Sequence, residues 1–211
     1  MSVHRTGIGS VASLASAVAL AAVLGTSASA ATVVYDFDAF ADLDVLTTQL
    51  AGLTFGQTTV VTAAISLNEF EFPPRSGSNV VFDDGGAITI DFATPVFGVG
   101  GYFSYASALT FSVYDSGNVL LGSDTSDFAD NAISSGEPGS SPNEFLTFAD
   151  AGGRIARVVI SGALFGNSFT LDDLTLNTGN AVPEPDSLDL LLGAAWVGWL
   201  RGGRARPSRR S

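Results

Sequence analysis

Apolar and polar residues alternate along Ile88-Thr89-Ile90-Asp91-Phe92 and again along Leu109-Thr110-Phe111-Ser112-Val113-Tyr114. A β-strand points successive side chains to opposite faces, so this period of two places one face in a core and the other in water. Short runs of similar character recur at Thr32 to Phe37, Leu53 to Phe55, Val60 to Leu67, Phe145 to Phe148, Ile155 to Ser161 and Ser168 to Leu176. Turn formers separate them at Asp83-Asp84-Gly85-Gly86 and Asp115-Ser116-Gly117-Asn118, where glycine accepts a positive φ that other residues resist. Thr94-Pro95 interrupts the pattern again, because proline donates nothing to a central ladder. Between Ala31 and Ala181 only Leu43 to Ala51 offers a helix, and it is short. Regularly spaced strands without helical spacers predict an all-β fold, an antiparallel jelly-roll-like β-sandwich.

The two ends of the chain have a different character. His4 and Arg5 precede an apolar, small-residue stretch from Ile8 to Leu24, and Ala28-Ser29-Ala30 has the A-x-A form of a cleavage site. Residues 1–30 therefore read as a secretory signal helix, cut between Ala30 and Ala31. At the other end, Leu188 to Leu200 is a run of thirteen residues whose only charge is Asp189. As a helix it spans roughly 20 Å at ~1.5 Å per residue, well short of the ~30 Å hydrocarbon core of a bilayer. Arg201, Arg204, Arg206, Arg209 and Arg210 follow, a basic stop that holds the C-terminus on the cytoplasmic side. The expected organisation is a signal peptide at 1–30, a β-sandwich at 31–181 and a sorting tail at 182–211.

Val182-Pro183-Glu184-Pro185, the apolar run and the arginine cluster, in that order, resemble the PEP-CTERM sorting signal of Gram-negative bacteria. The resemblance implies an exosortase-like processing enzyme as partner, passage across the inner membrane, and residence at the cell surface or in the extracellular matrix once the tail is removed. Pro73-Pro74-Arg75-Ser76-Gly77-Ser78-Asn79, Phe82-Asp83-Asp84-Gly85-Gly86 and Phe169-Thr170-Leu171-Asp172-Asp173-Leu174 are similar to segments of the β-sandwich domains such proteins often carry. That likeness implies a jelly-roll module comparable to galactose-binding domains, and no agreed activity.

Charge and residue inventory narrow the chemistry. Within 31–181 there are eighteen acidic residues against Arg75, Arg154 and Arg157, a net charge of −15. Nucleic acid and anionic lipid surfaces need clustered cations and are excluded as partners; divalent cations and neutral sugars are compatible. The chain has no cysteine and no lysine, and its one histidine, His4, lies in the leader. Ser-His-Asp, Ser-Lys, thiol and Schiff-base chemistry and histidine-ligated zinc are unavailable. Carboxylate chemistry remains, either glycoside hydrolysis or a carboxylate-ligated metal.

Four places carry that chemistry. Phe169 and Leu171 share one parity and Leu174 and Leu176 the other, which predicts a β-bulge at Asp172-Asp173. Adjacent carboxylates at a bulge suit calcium, with Asp36 and Asp38 as partner ligands if the first and last strands are neighbours; the alternative is a solvated bulge. Glu69 and Glu71, two residues apart, form the only candidate glycosidase pair, or else face solvent beside Phe70 and Phe72. Tyr102, Tyr105 and Tyr114 are the ring candidates for a sugar platform, since Trp196 and Trp199 both fall in the tail. The polar stretch Gly122 to Glu144 reads as a long loop, mobile or ligand-binding, tacked down by Phe128 and Ile133. The leading expectation is a non-enzymatic exported surface or matrix protein; the alternative is a calcium-dependent carbohydrate-binding module acting on exopolysaccharide.

Overall fold

The computed structural model describes residues 31–179, and the predicted signal peptide and sorting tail lie outside them. The described chain forms two antiparallel sheets. The first orders β3 (Thr58–Thr62), β4 (Asn79–Asp83), β11 (Phe169–Asn177), β6 (Gly98–Tyr105) and β9 (Glu144–Ala149), while β1 (Thr32–Tyr35) also pairs with β11. The second orders β2 (Leu53–Gly56), β5 (Ile88–Val96), β10 (Ile155–Ser161), β7 (Thr110–Tyr114) and β8 (Leu120–Thr125). From β4 onward the chain changes sheet at every step except the β7–β8 hairpin, so the expected β-sandwich has jelly-roll-like strand order. Among the described residues no helix is long and apolar enough to cross a membrane.

The alternation read from sequence is the burial pattern. Ile88, Ile90, Phe111, Val113, Val158 and Ile160 are fully buried between the sheets. Each such side chain stabilises the fold by ~1.5–3 kcal/mol relative to exposure. Thr89, Asp91 and Ser112 occupy the alternate positions on the outer face. There Arg157 sits opposite Asp91 and pairs with it at 2.6 Å. In β11 the bulge predicted at Asp172-Asp173 is present: Asp172 opposes Tyr102, Thr175 opposes Gly100, and one extra residue lies between. That insertion is what lets Leu174 and Leu176 join Phe169 and Leu171 in the same core.

Several expectations are corrected. Leu43 to Ala51 is not helical; its first half lies along the free edge of β3. Leu43 and Leu46 donate to the Val60 and Thr58 carbonyls at 2.9 Å, and Val60 donates back to Asp44 at 2.9 Å. The segment thus hides an edge that would otherwise invite another strand. The strand expected over Val60 to Leu67 ends at Thr62, and Thr94-Pro95 does not end β5, which runs to Val96. Proline is tolerated there because β5 and β10 are out of register between Ile155 and Arg157, so the ladder asks for no donor at Pro95.

The polar stretch Gly122 to Glu144 is also not one loop. Its first residues complete β8, and the remaining connection, 126–143, is fastened to the end of β6. Asn131, fully buried, receives the Tyr105 N–H on its side-chain oxygen at 2.7 Å and donates its amide to the Phe103 carbonyl at 3.0 Å. Its own N–H donates to the Tyr105 carbonyl at 2.9 Å. Asn131 takes over from β9 where that strand's pairing with β6 stops at Glu144. Phe128 packs on the core as expected, whereas Ile133 is exposed and holds nothing down.

Both ends of the fold meet. β1 and β11 pair antiparallel from Thr32–Asn177 to Tyr35–Leu174, and Thr178 donates its N–H to the Ala31 carbonyl at 3.0 Å.

Candidate functional site

The connection from β3 to β4, residues 63–78, crosses the outer face of the first sheet as a strap. Two acidic groups anchor it. At the bulge, Asp172 is almost wholly buried; its Oδ2 accepts the Arg75 and Ser76 N–H groups at 2.7 and 2.9 Å, and its Oδ1 accepts the Asp173 N–H at 2.7 Å. Asp173 accepts the Ser76 hydroxyl at 2.7 Å. Burial outweighs these donors and pushes the Asp172 carboxyl up to about 6. At the other anchor, Asp38 Oδ1 accepts the Ser78 and Asn79 N–H groups, both at 2.9 Å. Gly77 is pressed against that carboxylate so closely that a Cβ would stand 1.5 Å from Asp38 Oδ2. Asp36 accepts only the Asp38 N–H, at 3.2 Å.

The first and last strands are neighbours, as the calcium expectation required. Asp36, Asp38, Asp172 and Asp173 nevertheless spend their oxygens on strap and turn donors rather than on a common centre. Among the described residues no group of three or more carboxylates or histidines is placed to hold a metal ion. Glu69 and Glu71 lie in the strap, not on a strand face, and diverge: Glu69 accepts the Ala64 N–H at 3.2 Å and Glu71 the Ser134 N–H at 2.9 Å.

Of the three tyrosines, Tyr105 is fully buried and its hydroxyl bonds to Glu144; burial and that carboxylate raise its pKa. Tyr114 is half-buried on β7 beside Arg157. Tyr102, on the outer face, lies under the Arg75 guanidinium at 4.6 Å and beside the Phe145 ring at 4.9 Å. Arg75 therefore covers the tyrosine face that a sugar ring would use.

A feature missed by sequence reasoning lies beside the strap. Val61, Phe82 and Thr170, from β3, β4 and β11, floor a cleft of about 340 Å³. Ser66, Asn68 and Phe72 of the strap wall one side, and Asn167 and Ser168 of the β10–β11 loop wall the other. Beneath it Val61, Leu67 and Val80 form a second apolar cluster with Phe72 and Phe82 against it. The loop wall is held by Asp83, which is fully buried at the end of β4. Its Oδ1 accepts the Ser168 and Phe169 N–H groups at 2.8 and 3.0 Å, its Oδ2 accepts the Ser168 hydroxyl at 2.7 Å, and its carbonyl accepts the Asn167 N–H at 2.7 Å. The Gly166-Asn167 pair, with both residues at positive φ, is the only local sign of this turn in the sequence.

No family model matches the chain, and no curated protein matches it. Among solved structures it is similar to the K2 cleaved adhesin domain of Lys-gingipain, at 13% identity over 70% of this chain and 100% of that one, with a TM-score of 0.45. The K1 cleaved adhesin domain of Lys-gingipain from Porphyromonas gingivalis gives 11% identity, 70% and 98% coverage and a TM-score of 0.41. TmCBM61 in complex with β-1,4-galactotriose gives 13%, 61% and 89%, and 0.37. At these values none lends its ligand or activity to this chain.

Proposed function

We propose that this chain is an exported, non-enzymatic β-sandwich protein, sorted and processed by an exosortase-type system and placed at the cell surface or in the extracellular matrix. The observation that carries the reading is the order of the tail: Val182-Pro183-Glu184-Pro185, a short apolar run, then Arg201, Arg204 and Arg206. The leader ending at Ala28-Ser29-Ala30 supports export, and the strands begin at Thr32 and end at Asn177, inside both signals. Support for a non-enzymatic role comes from the missing lysine and cysteine, the single histidine in the leader, and the divergence of Glu69 from Glu71. Cells producing the chain with and without Val182 to Pro185 test the sorting step. The intact chain is expected to lose mass at both ends and leave the inner membrane, and the deleted form to keep its tail and stay there. Identical mass and fractionation of the two forms would sink the proposal.

The cleft favours a second reading, a carbohydrate-binding module acting on exopolysaccharide. Calcium binding at Asp36, Asp38, Asp172 and Asp173, proposed with it, requires those carboxylates to give up the strap and turn donors they accept here. A thermal melt with calcium and with a chelator tests the metal, because an ion bound to the native state raises the midpoint by mass action. An unchanged midpoint at millimolar calcium rejects it.

A further inference from the structure

We infer that the cleft between the strap and the β10–β11 loop is a binding site for one or two rings of an uncharged saccharide, recognised by Asn68 and Asn167. The inference rests on the carbohydrate-binding reading and names its site and ligand class.

None of the ten residues lining the cleft is charged. In a sandwich with a net charge of −15 a uronic acid, sulfate or phosphate would meet repulsion and no cation. The volume of about 340 Å³ falls at the lower end of ligand pockets, room for one or two sugar rings rather than a long chain. The lining suits a molecule with an apolar face and a polar rim. Phe72 and Phe82 supply the apolar surface, and amides supply the rim.

Asn68 and Asn167 stand on opposite walls, both exposed, and neither side-chain amide bonds to another described residue. Each offers two donors and an acceptor, which matches the donor-and-acceptor character of neighbouring hydroxyls on a pyranose. Both backbones are already fixed. The Asn68 carbonyl accepts the Glu71 and Phe72 N–H groups at 3.0 and 2.9 Å, and Asn167 donates to Asp83 at 2.7 Å. The ordering cost on binding is therefore confined to two short side chains. The Tyr102–Phe145 pair is the competing surface, and Arg75 already occupies it.

The test is titration of the isotope-labelled full chain with the methyl glycosides of galactose, glucose and mannose, and with glucuronate as the charged comparator. The observables are the Asn68 and Asn167 side-chain amide resonances and the fitted Kd. At least one neutral glycoside is expected to shift both amides, with glucuronate weaker. Asn68→Ala and Asn167→Gly, the latter keeping the positive φ, should each weaken binding roughly three- to tenfold while leaving the melting midpoint in place. If a neutral sugar binds but both variants bind equally well, or the shifts map to Tyr102 and Phe145, the site assignment fails and the carbohydrate reading stands. Glucuronate binding as tightly as the neutral glycosides overturns the ligand class. If no sugar binds, the carbohydrate reading itself falls.

Discussion

Asp83 offers the sharpest test of how the cleft wall is held. Its carboxylate is fully buried and satisfies two backbone N–H groups and one hydroxyl, all on residues more than eighty positions away. Asp83→Ala removes every acceptor at once and leaves three buried donors facing a void. Each unpaired donor costs ~1–3 kcal/mol, offset in part because a carboxylate no longer has to be desolvated. That offset is real, since burial raises the Asp83 pKa despite its hydrogen bonds. The net expectation is a loss of about 3–5 kcal/mol, a drop in Tm of roughly 10–15 °C for a domain of this size. Asp83→Asn keeps the shape and one acceptor for both N–H groups, and the Ser168 hydroxyl can turn to accept from the new amide. It should cost about 1 kcal/mol or less. Urea unfolding of both variants gives the measurement, read as a change in midpoint at constant slope. An alanine variant within about 0.5 kcal/mol of the parent, or an asparagine variant worse than alanine, would refute the account.

Three further outcomes follow from other sites. Because burial lifts the Asp172 carboxyl to about 6 from 3.8, the native state holds that proton more tightly than the unfolded chain. Its contribution is full below about pH 4, falls by roughly 3 kcal/mol as pH rises to about 6, and is flat above. The urea midpoint of Asp172→Asn minus that of the parent should therefore rise between pH 4 and 6, and a falling difference contradicts the assignment. Asn131→Ala strips the Tyr105 N–H and Phe103 carbonyl of their partners; about 2–3 kcal/mol should be lost and the Tyr105 amide should exchange faster, whereas parent-like exchange would mean the loop is held elsewhere. Gly166→Ala forces a side chain onto a φ of +74° and a Cβ to 2.2 Å from the Asp83 carbonyl, so it should cost at least ~2 kcal/mol of stability, read as a lower urea midpoint, and an unchanged midpoint would show that the turn can relocate freely.

How far these features could be read in advance depends on what each residue answers to. Ile88 to Phe92 and Leu109 to Tyr114 announce themselves because one face of each strand is buried and the other wet. The bulge at Asp172-Asp173 was legible for the same reason, as a break in parity between Leu171 and Leu174. β6 was not: Gly98, Gly100 and Gly101 erase its alternation, yet their missing side chains are what the fold uses. A Cβ at Gly101 would strike the Leu171 side chain at 2.4 Å, and one at Gly100 would meet Phe145 at 2.9 Å. β4 was hidden between serine-glycine and aspartate-glycine turns, and β8 by the polarity of an edge strand. Asp83 was misread as a turn former because Asp-Asp-Gly-Gly is turn chemistry locally. Its burial is decided by Ser168 and Phe169, which no local window contains. The cleft failed to show for that reason too, since its walls come from two loops about a hundred residues apart. Of the four aspartates proposed for calcium, Asp38, Asp172 and Asp173 meet one strap, while Asp36 stays in its own turn. Which way their oxygens point was beyond the reach of spacing alone.

The bond between Thr178 and Ala31 has a mechanical consequence. With entry and exit side by side, the sandwich is attached to anything beyond it through a single corner. A pull on one end alone passes no load across the two sheets, and the body is free to swing about that corner. A pull that separates the two ends meets the β1–β11 ladder at its open end and parts it one rung at a time, beginning at Thr178 and proceeding toward Tyr35 and Leu174. The same closeness makes the chain easy to re-cut: joining the ends through a short linker and opening the exposed β7–β8 turn at Ser116-Gly117 should return the same fold in a new order.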